Sequence, residues 1–176
     1  MRENGSILNL RSNRQATGQT GEFLVASELA RRGYSVALPS GNAKDYDLLA
    51  YKDHRTRVVQ VKCVAKGSFQ FSLDKFMVIH MDADKQIIKG LREDLDRQID
   101  FVIVFLGEKI GEDKFFCTTL GTFADFAKEN HESILKKNGG KRGVKMKNPK
   151  SLHAGYKQTD LIRPDIFRDF DQYFGS

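Results

Sequence analysis

The segment from Thr20 to Val64 constrains this chain more than any other part, because it sets charged side chains into an otherwise apolar pattern. It reads TGEFLVASELARRGYSV, then DYDLLAY, then RVVQVKCV. Glu22 lies early in a predicted helix and Asp47 at the start of a predicted strand. Gln60 and Lys62 lie in the next predicted strand. Acidic oxygens grouped around a lysine suit the metal-dependent hydrolysis of a phosphodiester.

The first element is a helix from about Thr20 to Arg32, followed by Gly33 as a stop. Its apolar residues recur at intervals of three and four: Phe23, Ala26, Leu29 and Ala30. Glu22 shares a face with Ala26 and Leu29, so we expect this carboxylate to point toward the body of the protein. An unpaired carboxylate in that position would be costly, which indicates a role for it.

Short strands follow the helix. The sequence predicts them over Tyr34–Pro39, Tyr46–Tyr51 and Arg57–Ala65, with Gly67–Leu73 paired to the third through a tight turn. Because side chains alternate along a strand, Gln60 and Lys62 share one face of the third strand. Both polar groups therefore lie in a strand that is otherwise apolar.

The second half of the chain is expected to alternate between helices and strands. Ile87, Ile88, Leu91 and Leu95 predict a helix from about Asp84 to Gln98. A buried strand is expected over Asp100–Leu106, because Phe101–Leu106 is a continuous apolar run, and Lys114–Leu120 is its expected antiparallel partner. A helix over Thr122–Lys136 and a short helix around Pro164–Phe174 complete the chain.

Length and composition fit one globular domain. The 176 residues are 40% hydrophobic and 30% charged, which is ordinary for such a domain. We expect a flexible N-terminal arm over 1–16, a core over 17–120, and a helical and basic C-terminal extension of the same domain over 121–176. No apolar run reaches the length of a membrane span, and no secretion signal is recognisable at the start, so the cytoplasm is the expected location.

A basic segment lies near the C-terminus. The chain carries a net charge of +6, and no acid occurs between Ser133 and Thr159. The residues predicted to bind DNA there are Lys136, Lys137, Lys141, Arg142, Lys145, Lys147 and Lys150. Concentrated positive charge indicates a phosphate backbone as the partner. A solvated loop whose lysines serve solubility is the alternative that charge alone leaves open.

The motifs taken together resemble those of the PD-(D/E)XK nuclease superfamily, which includes restriction enzymes and Holliday-junction resolvases. The matching residues are Glu22 in TGEFLVASEL, Asp47 in YDLLAY, and Gln60 with Lys62 in VVQVKC. The resemblance covers about residues 20–106. It implies an α/β fold, a restriction-endonuclease-like mixed β-sheet flanked by helices. This chain is a Gln-x-Lys variant, because glutamine stands where the family usually has a carboxylate.

The resemblance also implies roles for these residues. Asp47, Gln60 and Glu22, with the backbone carbonyl of Val61, would hold Mg²⁺, or Mn²⁺ in its place. Mg²⁺ prefers hard oxygen ligands, and an amide oxygen can serve, although losing one formal charge should weaken binding. Lys62 would act on the attacking water or on the scissile phosphate. Asp45, in the preceding turn, is the rival for the position of Asp47.

Three functions follow as hypotheses. The first is a metal-dependent endonuclease that acts on DNA, for which a homodimer is compatible although the sequence shows no interface. The second is a DNA-binding protein with a catalytically degenerate nuclease fold, which Gln60 favours. The third is a protein-interaction module. Each motif residue also has an ordinary structural interpretation: Asp47 as a turn cap, Gln60 as a polar residue at a sheet edge, and Lys62 as a lysine that reaches water past apolar neighbours.

Overall fold

A computed structural model describes residues 13–39, 46–109, 111–142, 148 and 150–175. The helices are α1 (Arg14–Arg31), α2 (Leu120–Lys137) and α3 (Phe170–Phe174). The strands are β1 (Ser35–Ala37), β2 (Leu48–Lys52), β3 (Arg55–Val64), β4 (Ser68–Ser72), β5 (Met77–Asp82), β6 (Lys85–Leu91), β7 (Asp100–Phe105), β8 (Lys114–Thr119) and β9 (His153–Lys157). Short 3₁₀ turns follow β4 and β9.

The chain divides into two compact units. Unit 1 comprises Met1–Phe69, Ile99–Thr119 and Tyr156–Ser176, and unit 2 comprises Gln70–Gln98 and Leu120–Gly155. The segments expected from the sequence, 1–16, 17–120 and 121–176, stay a prediction. Residues 1–12 of the expected arm lie outside the described residues, whereas Arg14 and the two residues after it are already helical. No helix in the described part of the chain is long and apolar enough to cross a membrane.

Unit 1 is built on a five-stranded mixed sheet in the order β1-β2-β3-β7-β8. β3 and β7 run parallel, and the other neighbours are antiparallel. Every residue of β7 is buried, as its apolar run predicts, because β7 lies inside the sheet with both faces covered. The predicted mixed sheet flanked by helices is confirmed, as is the antiparallel pairing of β7 with β8.

Helix α1 covers one face of this sheet. Asn13 begins it by accepting a hydrogen bond from the Ala16 amide at 3.1 Å, which satisfies one of the free donors of the first turn. The helix buries a narrow stripe at every fourth position: Thr17, Gly21, Val25 and Leu29. Two residues of the apolar spacing lie outside this stripe: Phe23 is 60% exposed, and Ala30 is also exposed.

The C-terminal helix α3 completes the core of unit 1. Phe170 and Phe174 join the same apolar cluster as Val25 and Leu29 of α1. The backbone of Arg168 pairs with that of Cys117 in β8, with both hydrogen bonds at 2.9 Å. The chain end is thereby fixed to the sheet. The two cysteines, Cys63 and Cys117, are free, and burial raises the pKa of both thiols, for Cys63 to about 11.

Unit 2 contains the largest departure from the sequence prediction. The helix expected over Asp84–Gln98 was wrong, because Lys85–Leu91 is strand β6, paired antiparallel with β5. The turn between them places Ala83 at φ 52°. The predicted pairing of the Gly67–Leu73 strand with the third strand was also wrong, because β4 pairs with β9 in a separate two-stranded sheet. The predicted helix after β8 is confirmed as α2.

The interior of unit 2 combines aromatic packing with a buried polar network. The rings of Phe71, Phe76 and Phe123 meet edge to face, with centroids 5.2 to 5.6 Å apart. His131 of α2 and Gln86 of β6 are both buried, and their side chains share a hydrogen bond of 2.8 Å. Aromatic contacts and satisfied polar pairs together hold α2 against the β5–β6 hairpin.

Candidate active site

Asp47 is held at the start of β2 by two backbone hydrogen bonds. Its amide donates to the carbonyl of Val59 at 2.9 Å. Its carboxylate oxygen Oδ2 accepts from the amide of Val61 at 2.7 Å. The register that pairs Leu48 with Val59, continued by one residue, sets Asp47 opposite Gln60 on β3. The carboxylate is therefore fixed beside the Gln-x-Lys motif.

Lys62 brings a positive charge to the same place. Its ammonium Nζ donates to the carbonyl of Val61 at 3.0 Å and lies 3.7 Å from Oδ2 of Asp47. The side chain of Lys62 remains 40% exposed and that of Asp47 25% exposed, so both can be reached from solvent. Two oxygen acceptors thus lie close to one cationic atom, and their negative charge favours a cation at this position.

Glu22 approaches from α1, and Gly21 determines how closely. A Cβ at Gly21 would lie 2.5 Å from the Cβ of Cys63 on β3, a distance that real contacts do not show. Only glycine lets the helix come this near to the strand. Burial raises the pKa of the Glu22 carboxyl, the charge of Asp47 raises it further, and the charge of Lys62 lowers it. Glu22 therefore interacts electrostatically with both Asp47 and Lys62.

Gln60 occupies the position two residues before Lys62. Strand alternation sets both on one face of β3, where Gln60 pairs across the sheet with Phe101 of β7. Its side chain is half-buried and takes part in interactions there. The structure brings Glu22, Asp47 and Lys62 together and places Gln60 beside them on the strand.

These residues offer the kind of ligands that Mg²⁺ takes. Among the described residues, no group of three or more His, Cys, Asp or Glu side chains could hold a metal ion. The candidate set has two carboxylates, Glu22 and Asp47, and adds neutral oxygens from the Gln60 amide and the Val61 carbonyl. A small number of hard oxygen ligands from the protein fits Mg²⁺, because this ion keeps several waters in its coordination shell. The convergence of acceptors on the Lys62 ammonium fits a cation site as well.

A family model, described as PD-(D/E)XK endonuclease, matches residues 12–149. This chain belongs to the PD-(D/E)XK endonuclease family. Proteins of the family generally use divalent metals. The matched range contains all four motif residues and extends through most of unit 2, far beyond the segment that the motifs cover.

One solved structure similar to this PD-(D/E)XK protein is that of a bacterial homing endonuclease, I-Ssp6803I. The two are 13% identical in sequence, with a TM-score of 0.44, and the alignment covers 86% of this chain and 82% of the other. No curated protein matches the chain.

The predicted DNA-binding residues of this PD-(D/E)XK protein fall into three groups. Lys136, Lys137 and Lys150 are exposed. Lys141 forms an ion pair with Asp84, and Arg142 donates from its guanidinium to the carbonyl of Ser151 at 2.7 Å. Lys145 and Lys147 lie outside the described residues, as does Asp45, the rival for the position of Asp47.

The motif search missed Gly21, which sets the position of Glu22. Gly21 carries no chemical group, so no catalytic pattern marks it. The signal available in the sequence is a glycine inside a long helical pattern, which costs about 1 kcal/mol relative to alanine and therefore calls for a packing reason.

Proposed function

We propose that this protein is a metal-dependent endonuclease that hydrolyses DNA phosphodiester bonds. The observation that carries the proposal is the convergence of Asp47, Lys62 and Glu22 at the point where α1, β2 and β3 meet. Membership of the PD-(D/E)XK family supports the same reaction. DNA is the proposed substrate, and the cytoplasm, where DNA is accessible, is the proposed location.

In this proposal, Asp47, Glu22, the Gln60 amide oxygen and the Val61 carbonyl oxygen hold Mg²⁺ or Mn²⁺. The bound ion supplies charge neutralisation and lowers the pKa of a coordinated water. Asp47 is held in place for this role by the Val61 amide, which fixes one carboxylate oxygen. Burial and the charge of Asp47 raise the pKa of the Glu22 carboxyl, and a cation bound nearby would lower it again by favouring the charged form.

Lys62 acts on the phosphate. Its ammonium is a hydrogen-bond donor on a side chain that is 40% exposed, and it lies beside the proposed ligands. It can donate a hydrogen bond to a non-bridging oxygen of the scissile phosphate and stabilise the negative charge that develops there. Lys62 can also orient the attacking water by hydrogen bonding. Both roles need a cation with flexible donors, which lysine provides.

The exposed lysines of the basic segment contact the DNA backbone. Lys136, Lys137 and Lys150 are available for phosphates, and Lys145 and Lys147 are proposed from the sequence to act with them. Lys141 and Arg142 already have partners within unit 2. Lys141 and Arg142 therefore contribute to DNA binding mainly through the electrostatic field of their positive charges. Each phosphate contact adds about 0.9 to the slope of the logarithm of affinity against that of salt concentration.

The decisive test is cleavage of plasmid and of branched synthetic DNA with Mg²⁺, Mn²⁺ or EDTA. Asp47→Asn keeps the shape of the side chain but removes its charge, so cleavage should fall by about 100-fold or more, equivalent to about 3 kcal/mol of lost charge stabilisation. Lys62→Ala should abolish cleavage while leaving DNA binding intact. Asp74→Asn, an exposed aspartate in the turn after β4, is the matched control and should cut normally.

Gln60 favours a second candidate function, that of a DNA-binding protein whose nuclease site has degenerated. A neutral amide holds a divalent cation less strongly than a carboxylate does. Wild-type protein that shifts DNA in a gel but never cuts it, with any metal, would support this candidate against the first. Gain of cleavage on Gln60→Glu would then locate the defect. Protein that neither binds nor cuts DNA would contradict both functions.

A homodimer is part of the proposed endonuclease. Two copies of the site would let both strands of a duplex be cut in one binding event. Sedimentation of the purified protein with and without DNA tests this, and a monomer on cleaved duplex would contradict it.

A further inference from the structure

The β5–β6 hairpin of unit 2 is a two-stranded sheet with two different faces. Its inner face, buried or half-buried, consists of Met77, Ile79, Met81, Gln86 and Ile88. Its outer face, exposed to solvent, consists of Val78, His80, Asp82, Lys85, Ile87 and Lys89. The inner face supplies the packing that holds the ribbon in unit 2. The outer face is therefore not needed for the fold.

The outer face mixes apolar groups with hydrogen-bonding groups. Val78 is 50% exposed and Ile87 39% exposed. Ile87 pairs directly across the ribbon with His80, and Lys85 pairs with Asp82. An ordinary solvent-facing strand carries polar residues at alternate positions. Two exposed β-branched residues among donors and an acceptor indicate a surface that meets a partner with both apolar and polar groups.

Cations of the basic segment are fixed beside the tip of this ribbon. The amide of Gln86 donates to the carbonyl of Gly140 at 2.9 Å. The stem of Lys85 lies against Gly140, in ordinary contact with a Cβ placed there. Lys141 pairs with Asp84 in the hairpin turn. The start of the basic segment and the turn of the ribbon therefore form one surface.

A buried network keeps this arrangement in place. Gln86 accepts at Oε1 from Nε2 of His131 and donates from Nε2 to the carbonyl of Ser151 at 3.1 Å. The same carbonyl accepts from Arg142 at 2.7 Å. The part of the basic segment that follows α2 is thus tied at both ends, at Gly140–Arg142 and at Ser151, to the strand whose other face is exposed. Residues 143–147 and 149, between these ends, are outside the described residues.

We propose that the outer face of the β5–β6 ribbon enters the major groove of duplex DNA and reads its sequence, an inference that rests on the proposed function. The major groove is about 12 Å wide and admits a two-stranded ribbon. Two strands lie about 4.8 Å apart, so a ribbon with its side chains fits that width. Charge complementarity supports this partner, because Lys85 and Lys89 outnumber Asp82 on the outer face.

The chemistry of the face matches the edges of base pairs. Val78 and Ile87 can contact thymine methyl groups, and Lys85 and Lys89 can donate to guanine O6 and N7. Asp82 can accept from cytosine N4. The lysines of the basic segment contact the backbone and set the register of the ribbon, but carry no sequence information. The proposal therefore separates base reading by the ribbon from backbone binding by the basic segment.

The test selects preferred duplexes from a random library with wild-type protein in EDTA, so that nothing is cut. Affinity for the best sequence and for a scrambled duplex is then measured by fluorescence anisotropy. Ile87→Ser and Lys89→Ala should each reduce the preference for the best sequence by about 5- to 100-fold, as the loss of one base contact does. The affinity for scrambled duplex should change little with Ile87→Ser.

Matched controls come from unit 1. Ile162→Ser changes an isoleucine that is 67% exposed, and Lys114→Ala changes an exposed lysine of β8. Neither should alter sequence preference.

Lys136→Ala with Lys137→Ala should weaken binding to all duplexes alike and reduce the salt slope by about 2. Urea midpoints equal to that of wild type establish that each variant is folded.

Four results would overturn the proposal. Wild-type binding without sequence preference, or a preference that the outer-face variants retain, would remove the ribbon from DNA reading while leaving metal-dependent cleavage intact. A change in sedimentation of Ile87→Ser without a change in DNA preference would identify the face as a contact between copies of the chain. Failure of the wild type to bind or cut any DNA would remove the proposed function together with this inference.

Discussion

Gly21→Ala tests whether the close approach of α1 to β3 positions Glu22. The added Cβ would lie 2.5 Å from the Cβ of Cys63, whereas ordinary contact begins at 3.4 Å. The helix and the strand must therefore separate by about 0.9 Å at this point. The atom in the way lies at the base of the Cys63 side chain and cannot rotate aside, so the backbone has to move.

The cost can be isolated with a control in the same helix. Gly18→Ala meets nothing within 4 Å, so it should stabilise the protein by about 1 kcal/mol through helix propensity alone. Gly21→Ala gains the same propensity but overpacks the interface, which costs about 1–3 kcal/mol. The two variants should therefore differ by about 1–3 kcal/mol in the free energy of unfolding, measured by urea titration.

Cleavage should respond more strongly than stability. A displacement of about 1 Å in a catalytic group can cost about 100-fold in rate. We expect Gly21→Ala to lose cleavage on that scale, with Gly18→Ala unchanged, and Cys63→Gly added to Gly21→Ala to restore part of the loss by removing the obstructing Cβ. Equal unfolding free energies for the two alanine variants, or full cleavage by Gly21→Ala, would refute the reasoning.

Three further predictions concern buried and site charges. Burial lowers the pKa of His131 to about 4, so below about pH 6.5 the unfolded chain binds a proton that the folded protein does not. The free energy of unfolding, measured by urea titration, should therefore fall by about 3 kcal/mol between pH 6.5 and 4. His131→Asn should remove most of this pH dependence. Arg57→Met leaves the buried Asp100 without the guanidinium that binds both its oxygens, so the free energy of unfolding should fall by about 3–5 kcal/mol. Adding Asp100→Leu should restore most of the lost stability. Lys62→Met removes the ammonium that now lies at the acceptor oxygens, so calorimetry should show tighter Mg²⁺ binding. Unchanged affinity would show that lysine and metal do not compete.

The sheet of unit 1 could be predicted from the sequence because each of its strands has a recognisable local pattern. Phe101–Phe105 is apolar throughout, and an uninterrupted apolar run of this length is typical of a strand that is buried on both faces. In β3 the polar Gln60 and Lys62 alternate with Val59 and Val61, so the side of each residue follows from its number alone. Pairing partners were less accessible. β4 joins β9, a strand more than eighty residues further along the chain.

The hairpin at Lys85–Leu91 could not be predicted because two periods fit the same residues. Ile87, Ile88 and Leu91 satisfy a helical spacing as well as a strand. The deciding feature is that Gln86 is inside and Ile87 outside, the reverse of what hydrophobicity suggests. Gln86 is tolerated inside because His131, 45 residues away, and Ser151, 65 residues away, satisfy its amide. A local sequence pattern cannot indicate partners that are so distant along the chain.

The candidate site divides along the same physical line. The adjacency of Asp47 to Gln60 and Lys62 follows from strand alternation and a hairpin register, both of which are local properties. The distance of Glu22 from them depends on a helix whose buried stripe includes Thr17 and Gly21, two residues that hydrophobic periodicity does not count. Phe23, which periodicity does count, lies outside. A helix that packs through small residues approaches a strand more closely than one that packs through large ones, so the residues with least side chain set the geometry on which the charged residues depend.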